Sequence, residues 1–445
     1  MSDTVPALLA RQAAAYGDKP FLICDDETLT YAEAERRSAA VAGGLGVGRR
    51  THVGLLHRNG PDFVVAALAC ARLGAVAVPL STFSTAPELE QLQRLADIEV
   101  LLSGELPVGD PPASVDVRPD DRLVIVHTSG STSAPKGVIH QHGPLLAHLA
   151  VLNGLRRYDD TEVLFSNSPF FWIGGFAYSL LGTLLAGATL VCSNAVDAGA
   201  ALDLLERTRP TMVNGFAAAV ARYAEHPSFP DRDLSSIRRG NLWPLLPPTD
   251  PGLRHNMLGM TETGSVCLAS DDEGEQPEHR RGSFGKPVPG LEHRLVDGEL
   301  WLRGPCLMEG YYGRERHETF TPDGWFRTGD LFDEDADGFL YFRGRAGDMI
   351  KTAGANVSPR EVEAAIADAT DGLVAHVVGL DDSQRGQVVA AAVRTDGPVD
   401  EAALVAALRE RLSAYKVPKR WVFVPELPML SSGKVDAREV RALFA

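Results

Sequence analysis

The chain has 445 residues, 44% hydrophobic and 23% charged, the make-up of a globular protein long enough for about three domains, or one large domain and a smaller one. Disorder and coiled coil are excluded as the main architecture. With 59 acids against 43 bases the formal charge is −16, so a general nucleic-acid binder is not expected, and an anionic ligand must be held by a local cluster against the net field.

The first third alternates helices and strands. Thr30-x-x-Glu33 is a capping box that opens a helix, and Gly43-Gly44 is expected to stop it. Val53 to Leu56 reads as a buried strand, 62–73 as a helix by its periodicity, and Val76 to Leu80 as another strand. Thr85-x-x-Glu88 opens the next helix. This rhythm predicts a parallel sheet covered by helices. Residues 103–120, rich in Pro, Gly and Asp, read as a surface connection. The strand over 123–127 runs straight into Thr128, Ser129, Gly130, Ser131, Thr132 and, four residues later, Lys136. Hydroxyls and backbone N–H groups in such a turn can wrap phosphate oxygens while the lysine neutralises charge. It is not a Walker loop, because its lysine precedes a glycine. A polar surface loop is the alternative.

No charged residue lies between Val163 and Val196, and 170–192 is long enough to span a bilayer. Glycines at 174, 175, 182 and 187 interrupt it, so a buried loop, helix and strand of an α/β core is the better account. Strands are expected at 163–165, 189–192 and 211–213. Short alternating runs with Gly and Asp turns over 288–342 predict antiparallel structure. From 345 the order changes to helix, two strands, helix and strand, opened by Ser358-Pro-Arg-Glu361, and reads as a separate small α+β domain. The five cysteines are widely spaced with no CxxC, and the N-terminus lacks a signal-peptide core, so a reducing cytoplasmic setting is expected.

Six motifs in order along nearly the whole chain resemble the adenylate-forming superfamily, which includes acyl-CoA synthetases, adenylation domains of peptide synthetases and luciferases. They are the 128–137 loop; 168–175, with Phe171, Trp172 and Gly175; 258–264, with Gly259, Thr261 and Glu262; 325–330, ending in Asp330; 341–351, with Arg345 and Gly347; and 427–434, ending in Lys434. The 353–363 run, with Gly354 on the thiol side, looks most like acyl-CoA synthetases.

The resemblance implies an α/β fold with a large adenylating domain over 1–344 and a small mobile lid over 345–445. It implies ATP, Mg²⁺ and coenzyme A, and a carboxylic acid activated to an acyl-adenylate and passed to the coenzyme A thiol. Loading of a carrier protein is the alternative, and a nucleotide-binding protein that has lost catalysis is another. In the resemblance Glu262 helps hold Mg²⁺ with Thr261 beside it. Asp330 accepts from the ribose, Arg345 contacts the nucleotide and Gly347 is the hinge. Lys434 joins the carboxylate and the α-phosphate, and Phe171, Trp172, Gly175 and Gly259 form the acyl pocket. Neither nucleic acid nor stable membrane insertion is expected. Three departures stand out: Trp172 where histidine is frequent, Gly347 where Asp or Lys is usual, and a short 239–256 segment where adenine is usually contacted.

Overall fold

The computed structural model describes residues 3–112, 115–128, 135–270, 275–345, 349–370, 372–429 and 435–444, less the side chains at 218, 251, 343–345 and 360. The chain divides into two compact units. The first is Met1–Thr82, Ala96–His127 and Gly137–Gly344; the second is Phe83–Leu95, Thr128–Lys136 and Arg345–Ala445. Chain order alone puts 83–95 in the first unit, and its contacts put it in the second.

The α/β rhythm of the first third becomes a six-stranded sheet in the order 310–311, 136–141, 122–128, 76–79, 52–55, 100–102. Its 76–79, 52–55 and 100–102 strands run parallel, joined by helices at 61–73 and 86–95. The Pro61–Leu73 helix is buried nearly all round and ends at Gly74 in the left-handed region. A second six-stranded sheet has the order 239–240, 212–214, 163–166, 189–192, 20–24, 27–30. Strands 239–240, 212–214 and 163–166 are parallel neighbours, so their C-terminal ends share one edge.

Thr30 and Glu33 form the expected reciprocal box at the start of Tyr31–Leu45. Gly43-Gly44 does not stop this helix, which runs on to Leu45 and caps at Gly46. The two glycines instead let the 107–110 backbone close in: a Cβ on Gly43 would lie 2.0 Å from Asp110 O, and one on Gly44 2.6 Å from Pro107 C. The uncharged 170–192 run folds as a buried π-helical segment at Gly174–Leu181, a short helix to Ala186 and the strand Thr189–Cys192. Among the described residues no helix is long and apolar enough to cross a membrane. The distal part is β-rich, with an antiparallel sheet of 292–296, 299–303, 326–334 and 340–345.

In the second unit the 386–394 strand pairs antiparallel with 375–382 and parallel with 420–424. Ser358 caps the Pro359–Ala369 helix, but Glu361 does not complete the box, because its Oε1 accepts from Lys416 Nζ at 2.8 Å. Lys416 Nζ also donates to Glu88 Oε1 at 3.2 Å, and Glu88 accepts from the Ser413 backbone and hydroxyl. Lys416 and Glu88 are both buried. Burial opposes the lysine's charge, yet Glu361 and Glu88 hold the ammonium above its ordinary range.

Burial pushes the imidazoles of His127, His140, His142 and His148 down to about 4. Unfolded, each titrates near 6.5, so below that pH the unfolded chain binds more protons than the folded one. The stability these groups contribute is whole above about 6.5 and is lost as the pH falls toward 4. Urea midpoints measured from pH 7 to pH 5 are expected to fall steadily, and a flat profile over that window would contradict the burial of neutral imidazoles.

Candidate active site

In an open α/β sheet the ligand crevice lies beyond the C-terminal ends of the strands. Three asparagines occupy that edge here. Asn167, just past the 163–166 strand, accepts from Phe216 N at 2.8 Å and donates to Phe216 O at 3.0 Å. Asn241, just past Gly240, accepts from Gly215 N at 2.8 Å and donates to Gly215 O at 3.1 Å. Gly215, at φ +141, leaves no room for a side chain, since a Cβ there would lie 1.9 Å from Asn167 Oδ1. Asn214 ends its own strand 2% exposed, with neither side-chain atom hydrogen-bonded among the described residues. A buried bare amide at this edge is a ready ligand contact. Residues 239–256 carry two single 3₁₀ turns, at Trp243–Leu245 and Pro251–Leu253, and no α-helix.

The 168–175 segment is clamped by Asn59, whose side chain donates to Ser168 O at 2.9 Å and accepts from Phe170 N at 2.8 Å. Phe171 is buried and Trp172 half-buried. Trp172 meets Phe171 and Phe216 edge-to-face, at 5.5 and 5.2 Å between centroids, so the aromatic wall has three members. A Cβ on Gly175 would sit 2.0 Å from Pro169 O, so only glycine closes this turn.

Thr261–Thr263 is a single 3₁₀ turn between the antiparallel strands 258–260 and 265–269, closed by Gly264 at φ +71. It is fixed from neighbouring strands. His140 Nε2 lies 2.6 Å from Thr261 O, and since a carbonyl only accepts, this nitrogen carries the proton. Tyr311 Oη donates to Glu262 Oε1 at 2.8 Å, and Met308 N to Glu262 O at 2.8 Å. Glu262 Oε2 takes no hydrogen bond among the described residues. Gly259 pairs with Val266 in the same hairpin.

Asp330, 1% exposed, lies inside the Phe326–Glu334 strand rather than on a turn. Gly329 before it has φ +72, its N–H goes to Glu299 Oε1 at 2.9 Å, and the register slips opposite Glu299–Trp301, so Asp330 sits at a bulge.

Thr128 ends one strand and Lys136 begins the next. Gly354, at φ +82 after Ala353 at +49, makes a two-residue hairpin turn between 350–352 and 355–357. Ser129, Gly130, Ser131, Thr132, Gly347 and Lys434 lie outside the described residues, and Arg345 is described in its backbone only. Among the described residues no cluster of three or more His, Cys, Asp or Glu could hold a metal by itself. Glu262 with its bare oxygen fits a Mg²⁺ whose other ligands are phosphate oxygens and water. Sequence reasoning passed over Asn59, Asn167, Asn214, Phe216, Asn241, His140 and Tyr311. The signal within reach was an asparagine at or just after each of three strand ends, at 167, 214 and 241.

The fold and this site define an AMP-binding enzyme. The AMP-binding enzyme family matches residues 9–110 and 103–312, and the AMP-binding enzyme C-terminal domain matches 361–434. The chain belongs to this family. It is 33% identical to a feruloyl-CoA synthase of Amycolatopsis sp, over 94% of both chains. It is 30% identical to a 2-succinylbenzoate–CoA ligase of Bacillus cereus, over 100% of this chain and 99% of the relative. Among solved structures, a double mutant of o-succinylbenzoate CoA synthetase from Bacillus subtilis, bound to its product analogue, aligns with a TM-score of 0.86 at 26% identity, covering 98% of each chain.

Proposed function

We propose that this chain is an acyl-CoA ligase that joins a carboxylic acid to the α-phosphate of ATP, releases pyrophosphate, and passes the acyl group to coenzyme A. The observation that carries this reading is the Thr261–Glu262 turn, locked by His140, Tyr311 and Met308 on the same unit as the uncharged aromatic cleft. Attack of a carboxylate on a phosphate brings two anions together. The protein's part is to position them and to place positive charge where negative charge develops.

In this reading Glu262 would hold Mg²⁺, and the metal would supply positive charge to the phosphates. Thr128 and Lys136 flank the phosphate loop, and Ser129, Gly130, Ser131 and Thr132 supply its donors. Asp330, an acceptor-only carboxylate, takes the ribose hydroxyls, and Arg345 takes a second nucleotide contact. Lys434 bridges the two reacting anions, Gly347 is the hinge of the small domain, and Gly354 lies on the thiol side. Asn214, buried with a bare side-chain amide, and Asn241 are the residues we assign to the adenine contact.

Between Glu162 and Asp197 there is no Asp or Glu to pair with a substrate ammonium. Burying that charge unpaired is costly, so the acid has no charged α-amine. The wall of Phe171, Trp172 and Phe216 favours a ring, as do relatives named for feruloyl and 2-succinylbenzoate acids. The test is pyrophosphate release and thiol consumption across acids paired with and without an α-amino group. Faster turnover of the plain aryl acids supports the reading, and faster turnover of the amino acids refutes the assignment of the cleft.

Asp330→Ala is expected to raise the apparent KM for ATP with a smaller change in kcat, because a ribose contact is made in ground and transition states alike. Glu262→Gln is expected to shift the Mg²⁺ concentration needed for half-maximal rate. Initial rates over ATP and Mg²⁺ series check both, and unchanged parameters in both variants would put the nucleotide elsewhere.

A further inference from the structure

The first unit buries a cation that has no carboxylate partner among the described residues. Arg156 follows the 142–155 helix and is 3% exposed. Its guanidinium lies between the rings of Tyr158 and Tyr178, 4.3 and 4.0 Å from their centroids. Nη2 donates to Asn153 Oδ1 at 3.0 Å and to Tyr178 O at 3.1 Å, while Nε and Nη1 are buried with no hydrogen-bond partner among the described residues. Glu162, a buried acid six positions on, is bound by Arg238 at 3.2 Å, by Arg239 at 2.8 Å and by the Thr211 hydroxyl. The two aromatic faces recover part of the guanidinium's lost hydration. They do nothing for its bare N–H groups, each of which costs as much as a lost hydrogen bond.

Arg156 lines a cavity of about 20 Å³ with Tyr178, His255, Met257, Val266 and Ser270. That is room for about one water-sized group. The cavity shares elements with the residues proposed for the acyl pocket. Tyr178 lies in the π-helical segment that begins at Gly174 and Gly175, Val266 pairs with Gly259, and Met257 precedes Gly259 by two residues. Its most adaptable wall is Met257, whose unbranched thioether takes the Tyr178 hydroxyl at 3.8 Å and can yield to a larger group.

We propose that this cavity takes a second anionic group, a carboxylate at the far end of the acyl substrate, so that the acid activated is a diacid. The proposal rests on the acyl-CoA ligase reading. The reacting carboxylate goes to the nucleotide, and the distal one supplies the counter-charge and the acceptors that Arg156 lacks. A monoacid of the same shape leaves the cation unpaired and is discriminated against.

The test is kcat/KM for pyrophosphate release with ring-bearing and chain diacids, each beside its monomethyl ester, in the wild type, Arg156→Gln and Arg156→Lys. In the wild type at least one diacid is expected to exceed its ester on the order of 10⁴-fold, the scale on which a site built for a polar group rejects an analogue without it. Arg156→Gln is expected to bring that ratio close to one by slowing the diacid alone, and Arg156→Lys to keep part of it. Esters that turn over as fast as diacids in the wild type, or equal losses for both in Arg156→Gln, would overturn the proposal. So would faster ester turnover on adding free acetate, which would make the cavity a site for a free anion. If Arg156→Gln does not fold, the wild-type ratio and Arg156→Lys still decide. If no acid releases pyrophosphate, the ligase reading has failed, and the cavity is decided separately by whether a diacid, but not its ester, raises the wild-type Tm.

Discussion

Lys434→Ala is expected to slow acyl-adenylate formation on the order of 10²–10³-fold, the cost of removing one preorganised charge-stabilising donor. Thiolysis of a supplied acyl-adenylate is expected to suffer far less. In the proposed mechanism the carboxylate and α-phosphate need this ammonium only while negative charge builds between them, and the thiol step has no such demand. Lys434 is also the last residue matched by the C-terminal family domain, and Met429 and Val435 pair antiparallel on either side of 430–434. Single-turnover kinetics of each half-reaction in the variant give the comparison. Equal losses in both would mean that the lysine acts on the fold or on a group common to both steps.

The second large effect concerns stability. Lys416→Met is expected to cost the protein about 3–5 kcal/mol, because it strands two carboxylates around a site the ammonium had neutralised. Glu88 lies only 10% exposed in its side chain and Glu361 14%, so water cannot replace the lost partner. The pairing also holds Glu88 below the usual carboxylate range against its burial. Urea unfolding of the variant is the measurement. Adding Glu88→Gln to Lys416→Met is expected to restore part of the loss, since it removes one stranded charge, and a double mutant less stable than the single would refute the ion-pair account.

Local signals were the ones legible in the sequence. Thr30 and Glu33 are three residues apart, and the box they make is visible from spacing alone. The strand runs at 52–55, 76–79, 163–166 and 189–192 are buried on both faces, so their apolar character needs no tertiary knowledge. What a glycine does was not legible. Gly43-Gly44 looks like a helix stop, yet its role is to admit a backbone more than sixty positions away.

The supports of the site were illegible for the same reason. Tyr311 reaches Glu262 across 49 positions, His140 reaches Thr261 across 121, and Lys416 reaches Glu88 across 328. No periodicity or spacing encodes such pairs. The π-helical segment at Gly174–Leu181 was also hidden, because its composition suits an ordinary buried helix. The order of the motifs gave Glu262 and Asp330 their proposed roles, but not that one is tied to a tyrosine and the other is buried in a strand bulge.

The central claim is that the carboxylate oxygen of the acid attacks the α-phosphorus of ATP. The most direct measurement uses an aryl acid labelled with ¹⁸O in both carboxylate oxygens, turned over with ATP, Mg²⁺ and coenzyme A, followed by mass analysis of the phosphorus products. The expected result is AMP carrying one labelled oxygen, with unlabelled pyrophosphate. Label in inorganic phosphate together with ADP, or label in no product, would contradict acyl-adenylate chemistry at this site.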